Sequence, residues 1–586
     1  MRDAVSNISI REKSALSLIC LAFAVILLRL FYWQVIRSSD LQLAVLKQTQ
    51  RKLSKIGDRG QIFFNDGSLL VGNQPYYKLL VDKKVLVLPK ITLIDQLTPL
   101  LITESPDYLL ATSSAAQTEA QNQLALALAV SLEKISPTVT LRAKLSPELK
   151  EKIEALKILG LKFESFTGRY YPEASMAAHI TGFVGKDKDG EDQGYFGIEG
   201  ALDIELAGKA ESRTVLTDAL GKILPGEKLN FDRPSNGRNI TLTLRRDLQQ
   251  LAEEFLSQGI EKYGAKSGEI ILMDPATGKI LALATWPSYL PNYYYWFDAS
   301  LYKNPSVVDT YEPGSTFKTI TVASALDSQV IAPDTVCTQC AGPRSIGKYT
   351  LKTWNGEYHP NINMTEALEK SDNVAMIFVS ELLGKDRQVD YLKKFAIGQP
   401  LQIDLQEDTK TPFPSQFGPV ELATTSFGQG ISTTSLQLMR AVGAIANHGQ
   451  MMRPQIVEKV TDTNRNQEIV IQPIVEQQVI SAQAADQATT MMVSSALHGE
   501  AQWAVSKRYT IAGKTGTSQI PGPGGYQEDK TIASFIGFAP PQQPKLLMLV
   551  KLVEPTSSPW AAETAAPLWM KLAEKAFILL GIPADK

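Results

Sequence analysis

The spacing of apolar positions changes along this chain. Near the N-terminus they run almost unbroken: SALSLICLAFAVILLRLFYWQVI, Ser14 to Ile36, carries a single charge, Arg29. At about 1.5 Å per helical residue, such a run crosses roughly 30 Å of hydrocarbon. Arg29 lies in its second half, where a long basic side chain snorkels towards an interface. Tyr32 and Trp33 suit the interfacial belt. A cleaved signal peptide needs a small-residue cleavage site after the apolar run, and none follows. A buried core helix is rarely so uniformly apolar this close to a terminus. The pattern predicts a retained single-pass anchor over 14–36, after a tail over 1–13.

Beyond the anchor the periods shorten. From 37 to about 235, strand-like runs mix with helices. ATSSAAQTEAQNQ (111–123) reads as a linker or an exposed helix start. SPELKEKIEALKIL reads as an amphipathic helix with Ser146 as N-cap, Pro147 first, and Leu149, Ile153, Leu156 and Ile158 as its apolar face. A domain boundary is expected near 231–240, at FDRPSNGRNI. After it, ITLTLRRDLQQLAEEFL predicts a strand running into a helix. EIILMDPATGKILALATWP predicts a hairpin turning at Asp274-Pro-Ala-Thr-Gly. Helices dominate from about 315 to 450. IASFIGFAP and KLLMLVKLVEP restore strands, and APLWMKLAEKAFILL closes on a helix. Strands on either side of a helical stretch predict one sheet assembled from distant parts of the chain.

With 586 residues the chain exceeds what one compact core holds, so more than one domain is expected. A net charge of −2 gives no sign of a nucleic-acid partner. Only four histidines occur, with no zinc-type spacing and no phosphate-cradling glycine loop, so neither metal nor nucleotide cofactor is expected. Basic residues flank the apolar run on both sides, Arg2, Arg11 and Lys13 before it and Arg37, Lys47, Arg51, Lys52 and Lys55 after it. Charge counting therefore does not favour a cytoplasmic N-terminus. Cys337 and Cys340 form a C-x-x-C without a second pair, which argues against a metal site. A small disulfide loop and two free thiols remain open.

The chemistry centres on YEPGSTFK, 311–318. Ser-x-x-Lys alone is uninformative, because Ser131/Lys134, Ser300/Lys303 and Ser345/Lys348 repeat it. Ser315 differs in context: a Pro313-Gly314 turn precedes it and an apolar helix follows. Positions i and i+3 share a helix face, which brings the Lys318 amine within reach of the Ser315 hydroxyl. A serine needs a base to become a nucleophile, and burial or a nearby cation turns a lysine into one. Ser371-Asp372-Asn373 is either a simple cap or a proton relay (Ser371) with a hydrogen-bonding amide (Asn373). Lys514-Thr515-Gly516-Thr517 is either an edge strand with a turn or a substrate-binding strand. In the latter, Gly516 allows close backbone approach, and Lys514 binds a carboxylate and depresses the pKa of Lys318.

S-x-x-K, S-D-N and K-T-G in this order are the signature of penicillin-binding proteins and class A β-lactamases. Nearly the whole sequence resembles the class B penicillin-binding proteins, the peptidoglycan transpeptidases. RGQIFFNDGSLL, GRYYPEASMAAHITGFVG and GYFGIEGALDIELAG resemble the family's pedestal motifs. MDPATGKILALATWPSYLPN, SFGQGISTTSLQLMRAVGAIANHG and ASFIGFAP resemble its transpeptidase domain. VVDTYEPGSTFK is closer to the septal than to the elongation type. Phe63-Phe64 replaces the usual charged pair of the first pedestal motif, and LAGKAESRTV lacks the family's second glycine. The glycosyltransferase signature E-D-x-x-F of bifunctional relatives is absent.

The resemblance implies an α/β multidomain fold. An N-terminal transmembrane helix leads to an elongated α+β pedestal over 37–235. A transpeptidase domain over 236–586 follows, with an antiparallel sheet, helices on both faces and a helical lobe. It implies a D,D-transpeptidase outside the cytoplasm, with the 1–13 tail inside. Ser315 would attack the penultimate D-Ala of a D-Ala-D-Ala stem peptide, Lys318 would take its proton, and Ser371 would pass a proton to the leaving amine. Backbone N–H groups of Ser315 and Thr517 would hold the oxyanion, and Thr515 and Thr517, backed by Lys514, the terminal carboxylate. β-Lactams would mimic the donor. Implied partners are the membrane, a polytopic peptidoglycan glycosyltransferase and division proteins. The competing readings are a serine β-lactamase or D,D-carboxypeptidase of the same fold, and a non-catalytic β-lactam sensor or scaffold. A class A lactamase needs an E-x-x-L-N element between Asn373 and Lys514, and none is found.

Overall fold

A computed structural model of the chain describes residues 10–109, 111, 113–218, 235–522 and 525–586. Most of the expected tail, and Phe231–Pro234 of the expected boundary, lie outside them. The apolar run forms one helix, Ile10–Ile36, of mean hydropathy 2.4, long and apolar enough to cross a membrane. None of its residues is buried. Contacts divide the chain into two units, Met1–Gly57 with Gly208–Asn236, and Asp58–Ala207 with Gly237–Lys586. In the first, strands Gln50–Ile56 and Ala210–Leu216 pair antiparallel.

The second unit holds the sheet that the separated strand patterns predicted. Its five strands run in the order Ile280–Trp286, Ser267–Met273, Leu546–Val553, Gly525–Ala539, Ala512–Gly522. Every neighbouring pair is antiparallel. Successive side chains point to opposite faces of a strand, and both faces here are covered. Ile270, Leu272, Phe535, Met548 and Val550 pack with the helices Arg246–Tyr263 and Ala565–Leu579. On that side the indole of buried Trp569 donates to Met548 O at 2.8 Å. Ile271, Ile536 and Leu549 join the helices Lys318–Asp327 and Ser435–Ala446 on the other side. This double cover explains why the strand sequences read as continuous apolar runs. The predicted hairpin closes where Gly278, at φ +75, donates its amide to Asp274 O at 2.8 Å.

A second sheet draws strands from widely separated parts of the chain. Asn239–Leu242 pairs parallel with Ile62–Phe63 and antiparallel with Val457–Asp462. The three pedestal motifs meet beside it at Glu199, which is fully buried. Arg59 donates from Nε to Glu199 Oε2 at 2.7 Å, and Arg169 from Nε to Oε1 at 2.6 Å. Arg59 also pairs with Asp203 at 2.7 Å, and Arg169 donates to Asn73 Oδ1 at 2.9 Å. Burial pushes the Glu199 carboxyl up, and the two guanidiniums outweigh it, so its pKa falls below the usual value. Phe64, half of the unusual Phe pair, is fully buried in the core. An apolar residue there fills space instead of making polar contacts.

Some expectations shift at element ends. Ser146 caps its helix, accepting from Leu149 N at 3.1 Å, but the helix ends at Glu154. Lys157 turns the chain at φ +52, so Leu156 and Ile158 lie past the helix instead of on its face. The stretch from 113 forms the helix Ser114–Glu133, capped by Ser113. Cys337 and Cys340 form a disulfide.

Candidate functional site

Gly314 takes φ +56 and donates its amide to Gly428 O at 3.1 Å. That conformation, easy only for glycine, starts the 3-10 turn Gly314–Phe317, which continues directly into the helix Lys318–Asp327. A Cβ on Gly314 would lie 3.2 Å from Thr517 O and Ser518 Cβ. The turn is therefore seated against the strand that carries K-T-G. Ser315 is half-buried at the start of a helix whose residues are buried from Lys318 to Leu326.

Lys318 is completely buried. Its ammonium donates to Ser371 O, to Ser371 Oγ at 3.2 Å and to Asn373 Oδ1 at 2.7 Å. These three bonds run to the S-D-N triplet, so the amine expected beside the Ser315 hydroxyl is held by Ser371 and Asn373. Ser371 sits at φ +52, a strained setting for a serine. Asp372 caps the helix Asn373–Leu383, accepting from Ala375 N at 3.0 Å. Cap and catalytic readings of S-D-N are thus compatible: the aspartate caps while its neighbours hold the lysine. Burial, and then the charge of Lys514, push the pKa of Lys318 down to about 7, with Glu500 and Asp372 opposing.

K-T-G lies on the edge strand Ala512–Gly522, which begins after Thr510 and Ile511. Gly516 is crowded by the protein itself. A Cβ there would meet Thr316 Cγ2 at 2.7 Å, Ser534 Oγ at 2.8 Å and Pro313 O at 3.0 Å. Its missing side chain lets the Ser315 turn approach the strand, where the sequence had pointed to a substrate backbone. Buried Lys514 donates to Thr515 Oγ1 at 3.0 Å, and Thr515 Oγ1 donates to Glu500 Oε2 at 2.8 Å. Burial lowers the Lys514 pKa and Glu500 opposes. Thr517 Oγ1 accepts from Ala561 N at 3.0 Å. The influence of Lys514 on Lys318 is therefore through space.

Five neighbours of the site, Glu500, His359, Glu312, Trp354 and Trp560, were given no role by the sequence. Glu500, which supplies negative charge beside both lysines, follows a helix end with no motif around it. Asp372 Oδ2 lies 3.2 Å from His359 Nδ1. Glu312 accepts from Gly430 N at 3.0 Å and from Tyr526 OH at 2.9 Å, tying a loop and a hairpin to the Ser315 turn. Trp354 and Trp560, both well exposed, stand 5.0 Å apart between ring centroids. Asn373 Nδ2 donates to Lys352 O at 3.2 Å, and Ala561 N to Thr517, so the two indoles rise from opposite walls of the site.

The Ser315 turn, a buried amine held by S-D-N and a facing K-T-G edge strand bring together the three motifs of the penicillin-recognising class. Residues 268–574 match the family model of the penicillin binding protein transpeptidase domain, and residues 54–242 that of the penicillin-binding protein dimerisation domain. The chain belongs to the penicillin-binding protein family. It is 32% identical to stage V sporulation protein D of Bacillus subtilis over 99% of this chain and 88% of that protein. It is 29% identical to the peptidoglycan D,D-transpeptidase FtsI of Escherichia coli over 76% of this chain and 74% of that one. The crystal structure of penicillin binding protein 2X from Streptococcus thermophilus shares the fold, with a TM-score of 0.70 at 23% identity over 90% of this chain and 80% of that one.

Proposed function

We propose that this protein is a serine D,D-transpeptidase that cross-links peptidoglycan stem peptides, in septum formation, from a domain held outside the cytoplasm by its N-terminal helix. The observation that carries the reading is the state of Lys318: fully buried, one helical turn after Ser315, with its pKa pushed down to about 7. An amine with that value is a competent base at neutral pH. As it loses a proton, the amine keeps donating to Ser371 Oγ and Asn373 Oδ1, and its freed lone pair accepts the proton of Ser315. Ser315 Oγ then bonds to the carbonyl carbon of the penultimate D-Ala, and the Ser315 and Thr517 amides stabilise the oxyanion. Ser371 returns the proton to the departing D-Ala nitrogen. Thr515 and Thr517, with Lys514 behind them, bind the terminal carboxylate. A side-chain amine of a second stem peptide then attacks the acyl-enzyme and restores Ser315.

In this reading 37–235 is the pedestal and 236–586 the catalytic domain, and the anchor and pedestal contact a polytopic glycosyltransferase and division proteins. Penicillin acylates the same serine. Intact-mass analysis after penicillin treatment should show one penicilloyl adduct, peptide mapping should place it on Ser315, and Ser315→Ala should take up none. An adduct retained in Ser315→Ala would overturn the nucleophile assignment. Rapid hydrolytic loss of the adduct would point to a lactamase.

A further inference from the structure

The pattern of the central sheet is broken on the face towards the nucleophile turn. Ile271, Leu549 and Ile536 on that face are apolar and buried. Two residues along each strand, the corresponding positions are Glu269, Lys551 and Ser534. They stand in register, Glu269 opposite Lys551, Lys551 opposite Ser534, and Ser534 opposite Gly516 of K-T-G. A polar row thus crosses the sheet to the strand that faces Ser315. Lys551 and Glu269 form an ion pair with both side chains 4% exposed. Ser306 Oγ donates to the other Glu269 oxygen at 2.7 Å. Ser534 Oγ donates to Gly516 O at 3.3 Å.

A buried ion pair is a poor stabilising device, because desolvation cancels much of the attraction and an apolar replacement is often as stable. This pair also lines a cavity of about 550 Å³, so it does not serve to fill the core. Its further contact is with Tyr311. The Lys551 ammonium lies 4.5 Å from the centre of the Tyr311 ring, a cation–π geometry that gains strength where water is excluded. Tyr311 exchanges both backbone hydrogen bonds with Thr433 at 3.0 Å. The next residues are Glu312, Pro313, Gly314 and Ser315. Ring and backbone are therefore both fixed just before the chain turns into the nucleophile.

We propose that Lys551 and Glu269 are positioning residues for acylation: the pair sets the Tyr311 ring, and through it the Ser315 turn, against the K-T-G strand. Neither side chain touches the reacting atoms. The proposal rests on Ser315 being the nucleophile. Misplacing a reacting group by about 1 Å costs up to roughly a hundredfold in rate, so a shifted turn reads out in the acylation constant more than in binding.

The test uses the full chain and a fluorescent penicillin, separating the first-order acylation constant from the dissociation constant of the preceding complex. Lys551→Met should slow acylation roughly tenfold or more with little change in the dissociation constant, and Lys551→Arg, which keeps a cation over the ring, should restore most of the rate. Lys551→Met alone strands Glu269 and destabilises the fold, so the decisive variant is Lys551→Met/Glu269→Gln. It removes both charges and leaves Ser306 an acceptor. Its unfolding temperature should stay near that of the parent while acylation stays slow. Parental acylation rates in the double variant, or rates that merely follow unfolding temperature across the series, would overturn the positioning role. Label mapped to a serine other than Ser315 in the parent would overturn the nucleophile assignment, and this proposal with it.

Discussion

Lys318 is a cation in a place hostile to cations, buried beside the second buried lysine, Lys514. Its pKa of about 7, against an ordinary 10.5, makes activity and stability depend on pH. Acylation by penicillin should rise as pH increases through about 7, as the amine gives up its proton. Stability responds in the same direction. Between about 7 and 10.5 the unfolded chain holds a proton that the folded chain has released, so folding strengthens as pH rises across that window. Lys318→Met should abolish acylation and flatten this part of the stability profile, read as unfolding temperature against pH. At this scale the sequence was informative because residue types at fixed spacing, Ser315/Lys318, Ser371/Asn373 and Lys514/Thr517, mark the three elements that the fold brings together. Which atoms they touch was not legible. The Lys318 amine goes to Ser371 and Asn373, and the bareness of Gly516 serves Thr316 and Pro313. Both depend on how distant elements meet.

Among elements, apolar runs located four strands of the central sheet and the helices on either side, since two-faced burial writes itself into every position, and the K-T-G triplet marked the fifth. Ends were less legible. Thr510 and Ile511 have strand-like character yet precede the strand, and a left-handed Lys157 stops the helix from Pro147 before its apolar pattern ends. Glu199 shows what sequence pattern cannot supply: three motifs far apart in the chain share one buried carboxylate between two guanidiniums. Glu199→Ala should leave Arg59 and Arg169 facing one another across the gap and lose about 3–5 kcal/mol, measured as a lower denaturant midpoint. Glu199→Gln, which keeps an acceptor, should lose less.

For the whole molecule, the N-terminal helix is separable in its physics. Ile10–Ile36 buries no residue, so its apolar surface contributes nothing to the described core. A chain beginning after Ile36 should leave the membrane fraction on cell lysis, remain soluble without detergent and still take up penicillin at Ser315. Retention in the membrane fraction would show that a second surface holds the protein there. The five-stranded sheet, by contrast, cannot be divided at all: two of its strands precede Ser315, one carries K-T-G and two follow it.

Trp354 and Trp560 make the cleft observable. Their rings stand 5.0 Å apart, one carried by the S-D-N wall and the other by the K-T-G wall. A ligand that widens the site must separate them, moving both indoles into new surroundings. Stopped-flow tryptophan emission should therefore change on mixing with penicillin, and Trp354→Phe should remove most of that signal while the adduct on Ser315 still forms. The protein would then report the opening of its own cleft as a colourless, label-free optical signal in real time.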